Sequence, residues 1–327
     1  MLFLVKILLD PSYKKIIRKV YFFMSNESLV QAKRAKNDEF YTRYEDVEVE
    51  LMAYYNHNKN VFRNKIILCP CDDAEYSNFV KFFVNHFTKF GIKKLIATCY
   101  NKNGHGKLLI MTSQQTINTM LADNGDFRSE EVTKLKEQAD MIITNPPFSL
   151  FGEFIKWIGN KEFSVIGSMN VISYVKVFPL IKINKIWLGD NEPNKFVQPD
   201  GSIKRFGNIC WFTNIDFDKR NEPLQLHTME YNLRNNKSLQ KKLAKYGVDF
   251  YPQYDYYNAI EVPMVKCIPS DYNGIMGVPI TFLTKYDPNQ FEIIGLERFV
   301  VPKNLLKGGR FTIQGKKIYA RILIKSL

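Results

Sequence analysis

Residues 140–149 read DMIITNPPFS, and this stretch decides the fold class. The apolar, β-branched run Met141–Thr144 is typical of a buried strand in a parallel sheet. Pro146 and Pro147 end that strand, because proline cannot donate a hydrogen bond to a sheet ladder. In open α/β sheets, ligands bind at the carboxyl ends of the strands. The stretch therefore predicts an α/β fold with a ligand site at Asn145–Phe148.

The sequence Asn145-Pro146-Pro147-Phe148 suits a planar base that carries an exocyclic amino group. The side-chain oxygen of Asn145 and the main-chain oxygen of Pro146 can each accept one amino hydrogen, while Phe148 can stack on the ring. Two acceptors favour the positive charge that develops when an aromatic amine attacks an electrophilic methyl group, so no strong general base is required. The structural alternative is a strand with an ordinary Pro-Pro turn, but the flanking Asn and Phe favour a site.

Strands and amphipathic helices alternate from about residue 37, which predicts a mixed, mostly parallel sheet with helices on both faces. The predicted strands are Ile66–Cys69, Leu95–Cys99, Met141–Thr144, Phe163–Gly167, Lys185–Leu188 and Ile209–Thr213. The predicted helices are Ser77–Phe90 (ended by Gly91), one that begins after Ser129, and Leu150–Ile158. Beyond about residue 215, dense Tyr, Asn, Lys and Pro predict a less regular second domain or an elaboration on the first.

The composition favours a polyanionic partner. The 327 residues carry a formal net charge of +13 and 14% aromatic side chains. Such a charge attracts phosphates, and aromatic rings can stack on bases, although many basic proteins bind no nucleic acid. Five cysteines without a CxxC pair and four scattered histidines argue against a disulfide framework or a zinc site, and fit a reducing cytoplasm.

The N-terminus predicts neither a membrane anchor nor a signal peptide. No apolar run reaches the roughly 18 residues that span a bilayer. Residues 1–9 are apolar but short and lack a small-residue cleavage site. Met24 resembles a natural start ahead of a basic arm, so we expect residues 1–23 to be dispensable and residues 1–36 to form an N-terminal extension.

Several further stretches accompany the Asn-Pro-Pro-Phe motif, and together they resemble the EcoRI-type adenine-specific DNA methyltransferases. They are NDEFYT at 37–42, CDD at 71–73, GDFRS at 125–129, NPPFSLF at 145–151, NKIWLG at 184–189, WFTN at 211–214 and IPSDYNGIMGVPITFL at 268–283. The resemblance runs in order from about Asn37 to the C-terminus. It implies a class I, Rossmann-like methyltransferase domain over residues 37–214 and a target-recognition region over 215–327.

The same resemblance implies a function and its site residues. The expected reaction moves a methyl group from S-adenosylmethionine to N6 of a flipped adenine in a specific sequence of double-stranded DNA. We further expect the protein to be part of, or derived from, a restriction–modification system; a cognate endonuclease acting on the same site and a monomeric state are expectations that the sequence does not decide. The implied catalytic residues are Asn145, Pro146, Pro147 and Phe148. The implied cofactor-binding residues are Phe40, Tyr41, Thr42, Asp72, Asp73, Asp126 and Phe127. The residues expected to stack on the base are Phe148, Trp211 and Phe212.

This chain departs from the common methyltransferase pattern at two strand ends. The Gly-rich loop after the first strand is missing, and Asp72-Asp73 takes its place. Cys99-Tyr100-Asn101 stands where an acidic ribose ligand is usual, so no ribose ligand is predicted. Structural alternatives also stay open for three segments: a plain turn at Gly125-Asp126, helix capping at Phe40–Thr42, and core packing of the aromatic pair after Cys210.

Two other functions stay open. The same chemistry could act on cytosine N4, RNA or a protein glutamine, because glutamine methyltransferases also carry Asn-Pro-Pro followed by an aromatic residue. The chain could instead be a non-catalytic DNA-binding module that kept the fold; the intact Asn145–Phe148 motif argues against that alternative.

Overall fold

The computed structural model describes residues 41–197, 201–302, 304 and 310–327. The predicted extension at 1–36, the expected start at Met24 and the predicted cofactor residue Phe40 lie outside the described residues. Within the described ranges, no helix is long and apolar enough to cross a membrane.

The described residues contain eighteen strands and eight α-helices. The strands are β1 (Tyr41–Thr42), β2 (Ile66–Cys69), β3 (Lys94–Cys99), β4 (Lys107–Met111), β5 (Thr116–Met120), β6 (Met141–Thr144), β7 (Glu162–Ser168), β8 (Trp187–Leu188), β9 (Lys195–Val197), β10 (Ile203–Arg205), β11 (Ile209–Thr213), β12 (Gln253–Tyr254), β13 (Tyr257–Glu261), β14 (Met276–Pro279), β15 (Phe291–Leu296), β16 (Thr312–Ile313), β17 (Lys316–Lys317) and β18 (Arg321–Ser326). The helices are α1 (Tyr44–His57), α2 (Asn78–Phe90), α3 (Glu130–Gln138), α4 (Phe151–Ile158), α5 (Phe178–Lys182), α6 (Met229–Asn235), α7 (Lys237–Ala244) and α8 (Glu297–Val300).

The central sheet has the strand order β5-β4-β3-β2-β6-β7-β11-β8. The four central strands, β3, β2, β6 and β7, run parallel to one another. The outer pairs are antiparallel, namely β3–β4, β4–β5, β7–β11 and β11–β8. The predicted α/β fold with a mixed sheet is confirmed, but parallel pairing is restricted to the centre. The short connection between β4 and β5 explains one departure, because a tight hairpin can join only antiparallel strands.

Helices cover both faces of this sheet. Alternate residues of β6 point to opposite faces, and Ile142 joins one hydrophobic cluster while Met141 and Ile143 join the other. Buried residues of α1 and α2 belong to the second cluster, and those of α3, α4 and α5 belong to the first. Burial of β6 on both sides explains why its sequence is a continuous apolar run.

Local signals set the bounds of α2. The Ser77 hydroxyl accepts hydrogen bonds from the backbone N–H groups of Phe79 (3.1 Å) and Val80 (3.4 Å), so it caps the helix N-terminus. Gly91 ends the helix in the left-handed region with a φ of 63°, which glycine adopts at little cost. The prediction for this helix is confirmed.

The segment beyond residue 215 is more regular than its composition predicted. It forms a five-stranded sheet in the order β12-β13-β14-β18-β15. Met276, Val278 and Phe291 of this sheet belong to the same hydrophobic cluster as α4 and α5. The domain boundary at residue 215 stays a prediction, and the two parts share a core.

Candidate active site

The carboxyl ends of the parallel strands bring most of the predicted site residues to one edge of the central sheet. β2 and β6 lie side by side with Leu68 opposite Ile142. The Asp72-Asp73 segment after β2 therefore lies beside Asn145 and Phe148, which follow β6. We call this region the catalytic edge.

Asp72 ties three elements together at the catalytic edge. Its buried carboxylate accepts hydrogen bonds from the hydroxyls of Ser77 (2.6 Å) and Thr144 (2.5 Å). It also accepts from the backbone N–H of Asn145. Burial raises the pKa of Asp72 to about 6, and the two hydroxyl hydrogen bonds oppose that rise. Asp72 therefore holds the end of β6 against the start of α2.

Asp73 faces the β4–β5 hairpin instead. Its Oδ2 accepts a hydrogen bond from Lys107 Nζ at 3.0 Å, and its Oδ1 accepts from the backbone N–H of Glu75 at 2.9 Å. Lys107 also lies 3.4 Å from the Glu75 carboxylate. The hairpin is thus fastened to the loop after β2 by one lysine between two carboxylates.

The Asn145–Phe148 motif is only partly exposed at this edge, and the Asn145 side-chain oxygen itself is buried. Asn145 and Phe148 are half-buried, Pro146 is buried and Pro147 is exposed. Phe148 begins a short 3₁₀ turn that ends at Leu150 and leads directly into α4. The backbone N–H of Leu150 donates to the Pro147 carbonyl at 3.0 Å, which fixes the turn.

The Gly125–Phe127 turn lies next to the end of β3, because the Asn101 backbone N–H donates to the Asn124 carbonyl at 2.8 Å. Gly125 has a φ of 75°, and a Cβ there would lie 2.5 Å from the Cys99 carbonyl oxygen, so only glycine fits.

Asp126 and Phe127 diverge from this turn. The Asp126 carboxylate accepts two hydrogen bonds from the Arg128 guanidinium, at 2.9 and 2.7 Å, which lower its pKa. Phe127 is buried and packs edge-on against Phe154 and Trp157, with ring centroids at 4.9 and 5.4 Å. The carboxylate is at the catalytic edge, whereas the ring belongs to the core.

Tyr41 and Thr42 reach the same region from the start of the described chain. The Thr42 carbonyl accepts a hydrogen bond from Asn78 Nδ2 at 2.7 Å, so β1 lies on the first turn of α2. Thr42 Oγ1 is buried and finds no hydrogen-bond partner among the described residues. The Tyr41 ring lies 6.3 Å from that of Tyr76. A buried hydroxyl of this kind can serve a bound ligand.

Trp211 and Phe212 are not at the edge. Both side chains are fully buried, on opposite faces of the sheet. Trp211 packs against Phe79 at 5.6 Å, and Phe212 packs against Phe151 at 5.0 Å. The alternative of core packing describes both residues in this structure, and neither presents a ring face to a base. Of the three predicted stacking residues, Phe148 alone is partly exposed.

Two residues of the edge, Thr144 and Lys107, were not predicted as site residues from the sequence motifs. The position of Thr144, a hydroxyl residue directly before Asn145, could have indicated its role. Lys107 had no local signal, because its approach to Asp73 depends on the hairpin register.

The arrangement can bind a planar amine. Hydrogen-bond acceptors at Asn145 and Pro146 suit that amine, whereas the nearby carboxylates of Asp73 and Asp126 already pair with Lys107 and Arg128. In the described residues no cluster of His, Cys, Asp and Glu could hold a metal ion.

Comparisons with known proteins give matches over most of the chain. The chain matches the family model described as adenine-specific methyltransferase EcoRI in two overlapping segments, residues 28–121 and 109–326. It is 38% identical to Type II methyltransferase M.EcoRI of Escherichia coli, with 92% of this chain and 97% of that protein covered. Type II methyltransferases M.MpnI of Mycoplasma pneumoniae and M.MgeORF184P of Mycoplasma genitalium are 34% and 33% identical, each with 90% of this chain and 97% of the relative covered. No solved structure gives a significant match.

Proposed function

Because the chain belongs to the EcoRI family of adenine-specific methyltransferases, we propose that it transfers a methyl group from S-adenosylmethionine to N6 of an adenine in a specific sequence of duplex DNA. The observation that carries the proposal is the partly exposed Asn145–Phe148 motif at the carboxyl end of β6, where the Asp72 carboxylate accepts a hydrogen bond from the Thr144 hydroxyl directly before it. The order of β3, β2, β6 and β7 with antiparallel β11 supports a class I methyltransferase sheet.

In this proposal, Asn145 and Pro146 act through hydrogen bonds. Their oxygens accept the two hydrogens of the adenine amino group, and these bonds strengthen as positive charge develops on the nitrogen. Phe148 stacks on the extruded base. Extrusion from the duplex costs a few kcal/mol, which contacts in the pocket offset. Pro147 keeps the turn rigid, so little reorganisation accompanies the reaction.

The cofactor assignment rests on the polar groups around the edge. When bound, S-adenosylmethionine supplies the electrophilic methyl group. The Thr42 hydroxyl and the Asp73 carboxylate suit its methionine end, with Tyr41 beside them. Asp126 suits the amino group of its adenine, and Phe127 anchors that turn in the core. Asp72 supports the edge from within.

The proposed partner is double-stranded DNA. We propose that the protein is cytoplasmic and acts as a monomer. The net charge of +13 supplies sequence-independent affinity, and residues 215–327 supply base recognition. The Type II names of the relatives suggest a cognate endonuclease that acts on the same site.

Methylation-sensitive long-read sequencing of DNA from cells that express the protein tests this function. We expect N6-methyladenine at every copy of one short sequence, and none in cells that express Asn145→Ala at the same level. Modified cytosine at that sequence, or no modified base from a folded protein, would overturn the proposal.

A further inference from the structure

An exposed tripeptide, Tyr174-Val175-Lys176, projects from the chain after β7; we call it the edge protrusion. Val175 is 74% exposed and Tyr174 is 43% exposed. Ile172, two positions before Tyr174, and Val177, directly after Lys176, are fully buried. Two apolar side chains are thus held in solvent between two core anchors.

The backbone makes the edge protrusion a fixed turn. The Tyr174 N–H donates to the Val171 carbonyl at 2.9 Å, and the N–H groups of Val177 and Phe178 both donate to the Tyr174 carbonyl at 3.0 Å. Because these bonds order the turn before any contact forms, a partner would lose little conformational entropy by using it.

The edge protrusion lies at the catalytic edge. β7 is the parallel neighbour of β6, with Val165 opposite Thr144, so both strands end on the same side. The protrusion also lies against the first turn of α4, which follows the Phe148–Leu150 turn directly. A Cβ on Gly152 there would lie 3.7 Å from Tyr174 Cδ2 and 3.9 Å from Lys176 Cδ.

The surrounding sequence is free of negative charge. Between Phe163 and Gly189 there is no Asp or Glu, and the charged residues are Lys176, Lys182 and Lys185. The positive charge of these lysines favours binding to the phosphate backbone of a nucleic acid. An aromatic and an aliphatic side chain beside a lysine also match the way in which DNA-bending proteins place apolar residues against base steps.

We propose that the edge protrusion docks on the DNA duplex beside the extruded adenine. Tyr174 and Val175 lie against the bases that border the vacated position, and Lys176 contacts a phosphate. The protrusion thereby stabilises the duplex with its target base out of the stack. This inference rests on the proposed function, because it requires duplex DNA at the catalytic edge.

Charge substitution at Val175 tests the inference. Val175→Asp should weaken binding to a duplex carrying the sequence found by sequencing, and lower kcat/KM for it, by about tenfold or more, the effect of roughly 1.4 kcal/mol. The dissociation constant for S-adenosylmethionine should not change. Because Val175 is exposed, the variant should fold normally, as circular dichroism would verify.

A second duplex distinguishes stabilisation of the extruded base from general adhesion. An abasic site opposite the target adenine weakens its pairing and lowers the cost of extrusion. Val175→Asp should recover most of its lost kcat/KM on that duplex. Equal losses on both duplexes would contradict the proposed role.

Ile183→Asp is the matched control. Ile183 is 59% exposed and lies in the same carboxylate-free stretch. Ile183 comes before the start of β8, and β8 runs in the same direction as β7 because both pair antiparallel with β11. Ile183 therefore lies at the edge where these strands begin, whereas the catalytic edge is where they end. The Ile183→Asp variant should behave as the wild type. A similar loss in this control, or none in Val175→Asp, would overturn the inference. If the wild type methylated no DNA, the proposed function itself would fail.

Discussion

At the scale of single residues, the proposed chemistry depends on Asn145, whose backbone N–H donates a hydrogen bond to the buried Asp72 carboxylate. Asn145, Pro146 and Phe148 could be predicted from ten consecutive letters, because a strand end and its turn residues are local features. The contact between Asp72 and Thr144 could not be predicted, because the two residues are 72 positions apart in the sequence and meet only when β2 and β6 pair. Burial of Trp211 and Phe212 was equally hidden, since a strand end in the sequence does not reveal what covers it.

Removal of the Asn145 acceptor should abolish most of the activity. We expect Asn145→Ala to lower single-turnover methyl transfer by about 10²–10³-fold, the typical effect of deleting one group that stabilises transition-state charge. DNA affinity should stay near that of the wild type. Rapid-quench measurement of transfer would check this, with Asn56→Ala in the exposed last turn of α1 as control. Near-normal transfer would rule out the acceptor role.

Methyl transfer should also depend on the protonation of Asp72. The pKa of this carboxyl is raised to about 6, chiefly by burial. Below that pH the protonated carboxyl can no longer accept from both the Ser77 and Thr144 hydroxyls and from the Asn145 N–H. The hydrogen bonds around Asn145 then rearrange, because the protonated carboxyl must donate one of them, although the fold itself is not weakened, since a raised pKa means that folding favours the protonated form. We therefore expect kcat to fall as the pH drops through about 6.

Thr144→Val provides the test of this pH dependence. It removes one hydrogen bond that lowers the pKa of Asp72, so the acid limb of the pH–rate profile should move to higher pH. The neighbouring titratable groups are Asp73, whose charge raises that pKa, and the thiols of Cys69 and Cys71, whose pKa values are raised by burial. The same apparent pKa in both enzymes would contradict the role of Asp72.

At the scale of secondary-structure elements, the accuracy of the sequence-based predictions depended on burial and on local caps. β2, β6 and β11 have the predicted bounds because each is an apolar run buried on both faces. β5 was not predicted, since all of its residues are exposed and it has no alternating pattern. The five-stranded sheet after residue 215 depends on pairings between distant segments, which local composition does not contain.

Helix α1 is attached to the segment after β8 by a buried carboxyl group. Glu50 accepts hydrogen bonds from Tyr54 Oη and from the backbone N–H groups of Asn191 (2.7 Å) and Asp190 (3.3 Å). Gly189 faces the carboxyl so closely that a Cβ there would overlap it. Burial raises the pKa of Glu50 to about 8.

Glu50 should therefore make stability depend on pH. A carboxyl whose pKa is raised on folding contributes stability that is complete below about 4.5 and is lost as the pH rises to about 8. Relative to Glu50→Gln, the wild-type free energy of unfolding should fall over that window by up to about 5 kcal/mol. Urea denaturation of both proteins at pH 5 and pH 8.5 would measure it, and a pH-independent difference would contradict the prediction.

At the scale of the whole molecule, a shared hydrophobic core connects α4, next to the catalytic edge, to the C-terminal sheet. The net charge of +13 was evident from composition alone. The packing of Met276 and Phe291 in the same hydrophobic cluster as α4 could not be predicted from composition, because these residues meet only in the folded chain. The β16–β17 hairpin carries the exposed Lys316 and Lys317.

DNA binding should accordingly weaken with salt. The logarithm of the association constant should fall linearly with the logarithm of salt concentration, since each neutralised phosphate releases counterions. If both hairpin lysines contact phosphates, the Lys316→Gln, Lys317→Gln double variant should reduce that slope by about 2. Fluorescence anisotropy between low and physiological salt would measure it; an unchanged slope would place the phosphate contacts elsewhere.

The most direct test of the central claim is transfer of a tritiated methyl group from S-adenosylmethionine to duplex DNA, followed by nucleoside analysis. The proposed role of Asn145 predicts that all of the label in DNA is N6-methyladenine and that the Asn145→Ala variant incorporates almost no label. Label in 4-methylcytosine, or in protein rather than DNA, would contradict the assignment.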